Sequence, residues 1–171
     1  WLPRVERKTP PIPGRSAMST VRADVVRAVS DLCLILARAF LPPTWEGALA
    51  AMAGDLPDDL RDGTALLGIE ASRALERFET AMAGIADRDA LLVIYSHLFL
   101  APPVPAPLNA GLYLDGALDG RSVVMMEACY RRHGVERGPH FKDLSDHLSV
   151  QLEFLAFLLA AAADQAGQAA A

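Results

Sequence analysis

The stretch KDLSDHLSVQLEFLAFLL, Lys142 to Leu159, sets Asp143, Asp146 and His147 ahead of an apolar run. A carboxylate beside an imidazole orients the ring and raises its basicity, the basis of acid–base chemistry. Neighbouring residues on a helix point about 100° apart, so Asp146 is badly placed to hold His147. Asp143, one turn earlier, lies on the same side and is the better partner. The same residues also suit a plainer role, because Asp143, Ser145 and Asp146 are capping types that complement the positive end of a helix dipole. Spacing alone leaves both roles open.

Metal chemistry is less well supplied. Cys129 and His133 stand four apart and form half of a zinc site at best, whereas complete sites take three or four ligands. His133, His140 and His147 recur every seven residues, but Gly138-Pro139 and two connections interrupt them, so they share no helix face. The phosphate-cradling GxxxxGK[ST] and GxGxxG patterns are missing, as is the GxSxG nucleophile elbow. We therefore expect no metal, no cofactor and no enzymatic activity. A metal-dependent hydrolase using His147, or a stable structural subunit of a larger complex, are the competing classes.

A second candidate site is the segment APPVPAPLNAGLYLDGALDG, a proline- and glycine-rich loop over about 101–121. Loops of this length inside compact domains are uncommon and usually functional. Pro102 and Pro105 fix the backbone in advance, which lowers the entropy lost when a peptide docks. Tyr95 and Phe99, four apart on the preceding helix, present an aromatic face at its end, with at least one of them expected in the core.

The elements that must position these residues read as helices throughout. Ser19 caps STVRADVVRAVSDLCLILARAFL, whose Val25, Val29, Leu32, Leu36 and Phe40 form a core face before Pro42-Pro43 stops it. Thr44 caps TWEGALAAMAG, which Gly54 and Asp55 break. A short helix and a longer one follow, with Leu67, Ala71, Leu75 and Phe78 on one face. Asp87 caps RDALLVIYSHLFL, and Gly134 closes SVVMMEACYRRHG. The last helix runs from about Leu144 to about Ala163; its Leu148, Leu152, Leu155 and Leu159 stripe, with Val150, Phe154, Phe157 and Leu158 covering the rest, predicts a central helix. No alternating strand pattern appears, so the fold class is all-α, a single-domain helical bundle over 19–171 behind a proline-rich arm at 1–18.

Of 171 residues, 52% are hydrophobic and 22% charged, enough for a sizeable core, and the net charge is -5 with a pI near 5.3. No basic cluster is interleaved with aromatics, which argues against nucleic-acid binding and favours a cationic partner. Cys33 and Cys129 lie singly in apolar periodic stretches, as buried free thiols in a reducing compartment do. No charge-free apolar run reaches about 18 residues and no signal-peptide core is present, so neither stable membrane insertion nor secretion is expected. The expected location is the cytoplasm.

Two segments, YSHLFLAPPVPAPLNAGLYLDG and YRRHGVERGPHFKDLSDHLSVQLEFL, resemble the signature regions of the TorD family of redox-enzyme maturation chaperones, the group of TorD, DmsD and NarJ. Tyr95, Leu98, Phe99, Pro102, Pro105 and Tyr113 match the first pattern. Asp143, Asp146, His147, Leu152, Phe154 and Leu155 match the second, preceded by Tyr130 and Gly134. Asp143 stands where the family usually has Glu, Gln151 where it has an acid, and Leu155 where it has Met. Members continue with further helices where this chain ends in AAAADQAGQAAA, which implies missing or swapped C-terminal helices and either a monomer or a domain-swapped dimer. The resemblance implies a cytoplasmic chaperone that binds the twin-arginine signal peptide, or the apo form, of the catalytic subunit of a molybdenum oxidoreductase, assisting cofactor insertion and delaying export. It places Asp143, Asp146 and His147 at a groove mouth beside the proline loop, with Asp146 and Asp143 on the arginines, and Glu127 as a further acid.

Overall fold

The computed structural model describes residues 20–136 and 143–169, and the side chains within 23–136 and 143–165. The arm at 1–18, the Ser19 cap and His140 lie outside the described residues. The elements are α1 (Thr20–Ala39), α2 (Ala48–Ala50), a π-helical turn (Ala51–Asp55), α3 (Leu56–Leu66), α4 (Ser72–Ala83), α5 (Arg88–Phe99), α6 (Ala110–Leu114), α7 (Arg121–Arg132) and α8 (Leu148–Ala169). Among the described residues there is no strand, and one isolated antiparallel bridge joins Asn109 to His147. The all-α expectation holds.

The principal helix pair is α1 with α8. Ser30 Oγ donates to the Ala156 carbonyl at 2.9 Å, and Arg27 meets Asp164 at 3.3 Å, so the two helices run antiparallel. Alanines line their seam: Ala23 and Ala37, on the Ser30 face of α1, and Ala156 and Ala163 of α8 are buried. Small residues let two helix axes approach closely. The larger stripes expected to fill the core do so only in part: Leu32 of α1 is buried. Val25 is 47% exposed and Leu155 45% exposed, while Leu152 and Leu159 are half-buried. An apolar residue count cannot rank faces when a helix is apolar nearly all round. The window Leu148–Gln165 is also long and apolar enough to cross a membrane, its two acids notwithstanding.

Helix ends follow local chemistry. Asp87 Oδ1 accepts from the Ala90 N–H at 2.8 Å, as expected of an N-cap. At the end of α7, Gly134 takes φ 69°, with Val135 N–H bonding the Tyr130 carbonyl and Gly134 N–H the Arg131 carbonyl, both at 3.0 Å. That is a Schellman closure, and it needs a residue at ease with positive φ. Three expectations are corrected. Thr44 caps nothing, because the chain turns at Gly47 (φ 80°) and the helix starts at Ala48. Gly54 and Asp55 do not end a helix; they widen it into the π-helical turn that leads directly into α3. The segment after α5, expected to be loop throughout, contains the short helix α6.

Candidate functional site

The site begins at the entry to α8. His147 is the residue before the first helical position, and its ring Nδ1 accepts from the Ser149 N–H at 3.2 Å. The imidazole thus satisfies one of the N–H groups that a helix start leaves unpaired. Nδ1 accepts, so the proton sits on Nε2, which faces Asp143 Oδ2 at 3.9 Å. Burial pushes the His147 pKa below its ordinary value, with Asp143 and Asp146 acting in the opposite direction. The ring is therefore neutral at physiological pH and its contact with Asp143 is not an ion pair. Gln151 Nε2 donates to the Asp146 carbonyl at 2.6 Å and completes the helix entry.

Asp146 itself is 0% exposed. Its Oδ2 accepts from the Gly111 N–H at 2.6 Å and its Oδ1 from Asn109 Nδ2 at 3.0 Å. Asn109 Nδ2 also reaches Asp143 Oδ1 at 3.3 Å, so one amide spans both carboxylates. Backbone bonds flank these contacts: Ala110 N–H to the Asp146 carbonyl at 3.1 Å and Leu148 N–H to the Leu108 carbonyl at 2.8 Å. A Cβ on Gly111 would stand 2.8 Å from the Ala117 carbonyl and 3.0 Å from Asp146 Oδ2, so only glycine fits at this close approach.

The rest of the proline-rich segment folds onto α7. Asp115 Oδ2 accepts from the Ser122 N–H at 2.8 Å and from Ser122 Oγ at 2.6 Å, which holds the Asp115 carboxyl below its usual range. Behind α8's entry, Tyr130 donates to the Ser145 carbonyl at 2.9 Å, and Ser145 Oγ donates to Glu127 Oε1 at 2.7 Å. Burial, and then the neighbouring Cys129 and Asp146, push Tyr130 up to about 12, so it remains a donor.

The structure therefore brings Asp143, Asp146 and His147 together and joins Glu127 to them through Ser145. Asp146 does not lie open at a groove mouth: its carboxylate is fully buried, and each oxygen already accepts a hydrogen bond. Asp143 and Glu127 keep side chains about two-fifths exposed, at 41% and 40%. Tyr95 is buried; its hydroxyl donates to the Phe40 carbonyl at 3.0 Å, and burial followed by the Asp143 charge pushes it up to about 12. Phe99 is half-buried between Tyr95 and Phe40, with centroid distances of 4.9 and 6.2 Å. Pro102 and Pro105 are exposed. His133 Nδ1 donates to the Cys129 carbonyl at 2.9 Å, and among the described residues no three metal-ligating side chains converge.

Sequence reasoning missed Asn109, Gly111 and Ser145 as partners of the Asp-His pair, although Asn and Gly at a turn were visible signals. It also missed a groove of about 900 Å³ walled by α1, the π-helical turn, α3 and α8. Leu34, Ile35, Leu41, Trp45, Met52, Leu56 and Phe157 give it apolar walls; Asp55, Asp59 and Glu153 place three carboxylates on it against one guanidinium, Arg38. Phe40, adjacent to the groove's Leu41, touches Phe99, so the proline-rich segment starts beside one end of the groove. Nothing in the sequence marked these walls, because they come from three separate segments, 30–45, 51–59 and 153–160.

Residues 67–171 match the model of the family described as nitrate reductase delta subunit. No curated protein matches the chain. Its fold is similar to a crystal structure described as a redox enzyme maturation protein from Archaeoglobus fulgidus, with a TM-score of 0.51 and 21% identity over 89% of this chain and 76% of that one. The matched residues span more than half of the chain and include the proline-rich segment and the Asp-His pair, and the chain belongs to the nitrate reductase delta subunit family of NarJ/TorD-type redox-enzyme maturation chaperones.

Proposed function

We propose that the protein captures the N-terminal twin-arginine signal, or the apo form, of a molybdenum oxidoreductase catalytic subunit and holds it until its cofactor is in place. The groove carries this reading. Its volume is in the range of ligand-binding clefts, its walls are apolar, and its carboxylates outnumber its cations three to one. A peptide with an apolar stretch and an arginine pair is complementary to such a surface, since guanidinium forks bind carboxylates at two points. An apolar helix laid in a groove is a common recognition mode. The net charge of -5 favours the same cationic partner. Asp143, Glu127, Pro102 and Pro105 are further peptide-facing groups in this reading, and Tyr95, Phe99 and His147 support them from beneath.

The test is calorimetric titration of the full chain with synthetic N-terminal peptides of molybdenum oxidoreductase catalytic subunits recovered from native extract with this protein as bait. Binding that weakens when the two arginines become glutamines, and when Leu34→Glu puts a charge on the groove wall, is expected. Recovery of no such subunit, or affinity indifferent to both changes, overturns the reading.

A further inference from the structure

The segment from Leu100 to Gly120 is a strap between α5 and α7, and its middle is held by one side chain from the start of α8. We infer that Asp146 is a positioning residue that latches this strap, and that it does not itself meet a client's arginines. The part of the inference that concerns client capture rests on the function proposed above.

Three observations carry it. Asp146 is 0% exposed, and its two oxygens accept from Gly111 N–H and Asn109 Nδ2, both of which belong to the strap. Gly111 has no room for a Cβ, so the close approach is built into the backbone. The strap's far end is tied separately, where Asp115 accepts twice from Ser122 at the start of α7. A guanidinium reaching Asp146 would have to enter a fully buried site and compete with the Gly111 N–H, which is left buried without a partner if displaced. What the latch presents is outward-facing: Tyr113 and Leu114 are each 69% exposed and Leu118 56% exposed on a backbone fixed from below. Holding apolar side chains in one arrangement before binding reduces the entropy lost on docking.

Hydrogen exchange on the full chain separates the latch from a contact role. Asp146→Ala and Gly111→Ala are each expected to speed exchange at the residue-111 amide and its strap neighbours about tenfold or more, while α1 retains its protection. The two changes act on one contact, so the double variant should be no faster than the worse single one. Asp146→Asn keeps an acceptor for Gly111 and should retain most of the protection. In titrations with a synthetic Arg-Arg peptide bearing an apolar segment, affinity should follow the strap: lost about tenfold in Asp146→Ala and Gly111→Ala, largely kept in Asp146→Asn. Unchanged strap exchange in Asp146→Ala overturns the inference. So does an Asp146→Asn variant that loses affinity with its strap still protected, because charge would then be what matters. Failure of the wild-type protein to bind any such peptide sinks the proposed function instead, and strap exchange still decides the latch.

Discussion

The Tyr130 hydroxyl donates to the Ser145 carbonyl at 2.9 Å, and its ring lies 4.7 Å from that of Phe154 in an edge-on contact. One side chain thus ties α7 both to the turn ahead of α8 and to α8 itself. Tyr130→Phe keeps the ring and removes one neutral hydrogen bond, so a loss of about 1 kcal/mol is expected. Tyr130→Ala also removes buried aromatic contact and should cost about 3 kcal/mol or more. Urea unfolding of both variants checks this; equal losses would mean that the ring packing contributes nothing.

Two glycines of the second helical stretch should respond oppositely to alanine. Gly54, in the π-helical turn, has nothing within 4 Å of an added Cβ, whereas at Gly63 that atom would meet Leu32 side-chain atoms at 2.8 and 2.9 Å. Gly54→Ala should stabilise by about 0.5–1 kcal/mol through backbone entropy. At Gly63 the same gain is outweighed by overpacking of about 1–3 kcal/mol, since Leu32 is itself buried between α1 and α3. Thermal unfolding midpoints should move up for the first and down for the second.

Ser149 is 1% exposed, and its Oγ has no hydrogen-bond partner among the described residues. A buried hydroxyl without a partner costs free energy, and alanine is the better helix former. Ser149→Ala should therefore stabilise by about 1 kcal/mol and leave the His147 cap intact, because that cap uses the Ser149 backbone N–H. A drop in the denaturation midpoint would show that the hydroxyl is bonded in solution.

The legible part of this fold was what local chemistry decides. Asp87 as an N-cap, Gly134 as a C-terminal closure and the helical period of α1, α5, α7 and α8 depend on residues within a turn of each other. What escaped depends on contacts between distant segments. Periodicity marked the leucines of α8, yet alanines from α1 and α8 form the seam, because only the partner helix decides which face of an all-apolar helix is covered. Gly54 read as a break, but tertiary packing carried the helix through it as a π-helical turn. The Asp-His pair was visible as chemistry, and the choice between cap and contact was not. The answer was divided: His147 caps the helix, and Asp146 turns away to hold a segment 35 residues upstream.

That division gives His147 a definite pH signature. Its folded-state pKa lies below the ordinary value near 6.5, chiefly because the ring is buried, and the ring must be unprotonated at Nδ1 to accept from Ser149. Between about pH 6.5 and the lower folded value, the unfolded chain binds the proton that the native chain refuses. The associated stability is thus fully present above about pH 6.5 and falls as pH drops through that window. The nearby Asp143 and Asp146 carboxylates favour the charged ring and narrow the window, without reversing its sign. His147→Asn supplies a capping oxygen and removes the titration, so its stability should lose this slope while staying near the wild-type value above the window, at about pH 7.5. Denaturation midpoints of both proteins between pH 5 and 8 decide the matter; parallel curves would show that other groups carry the acid sensitivity.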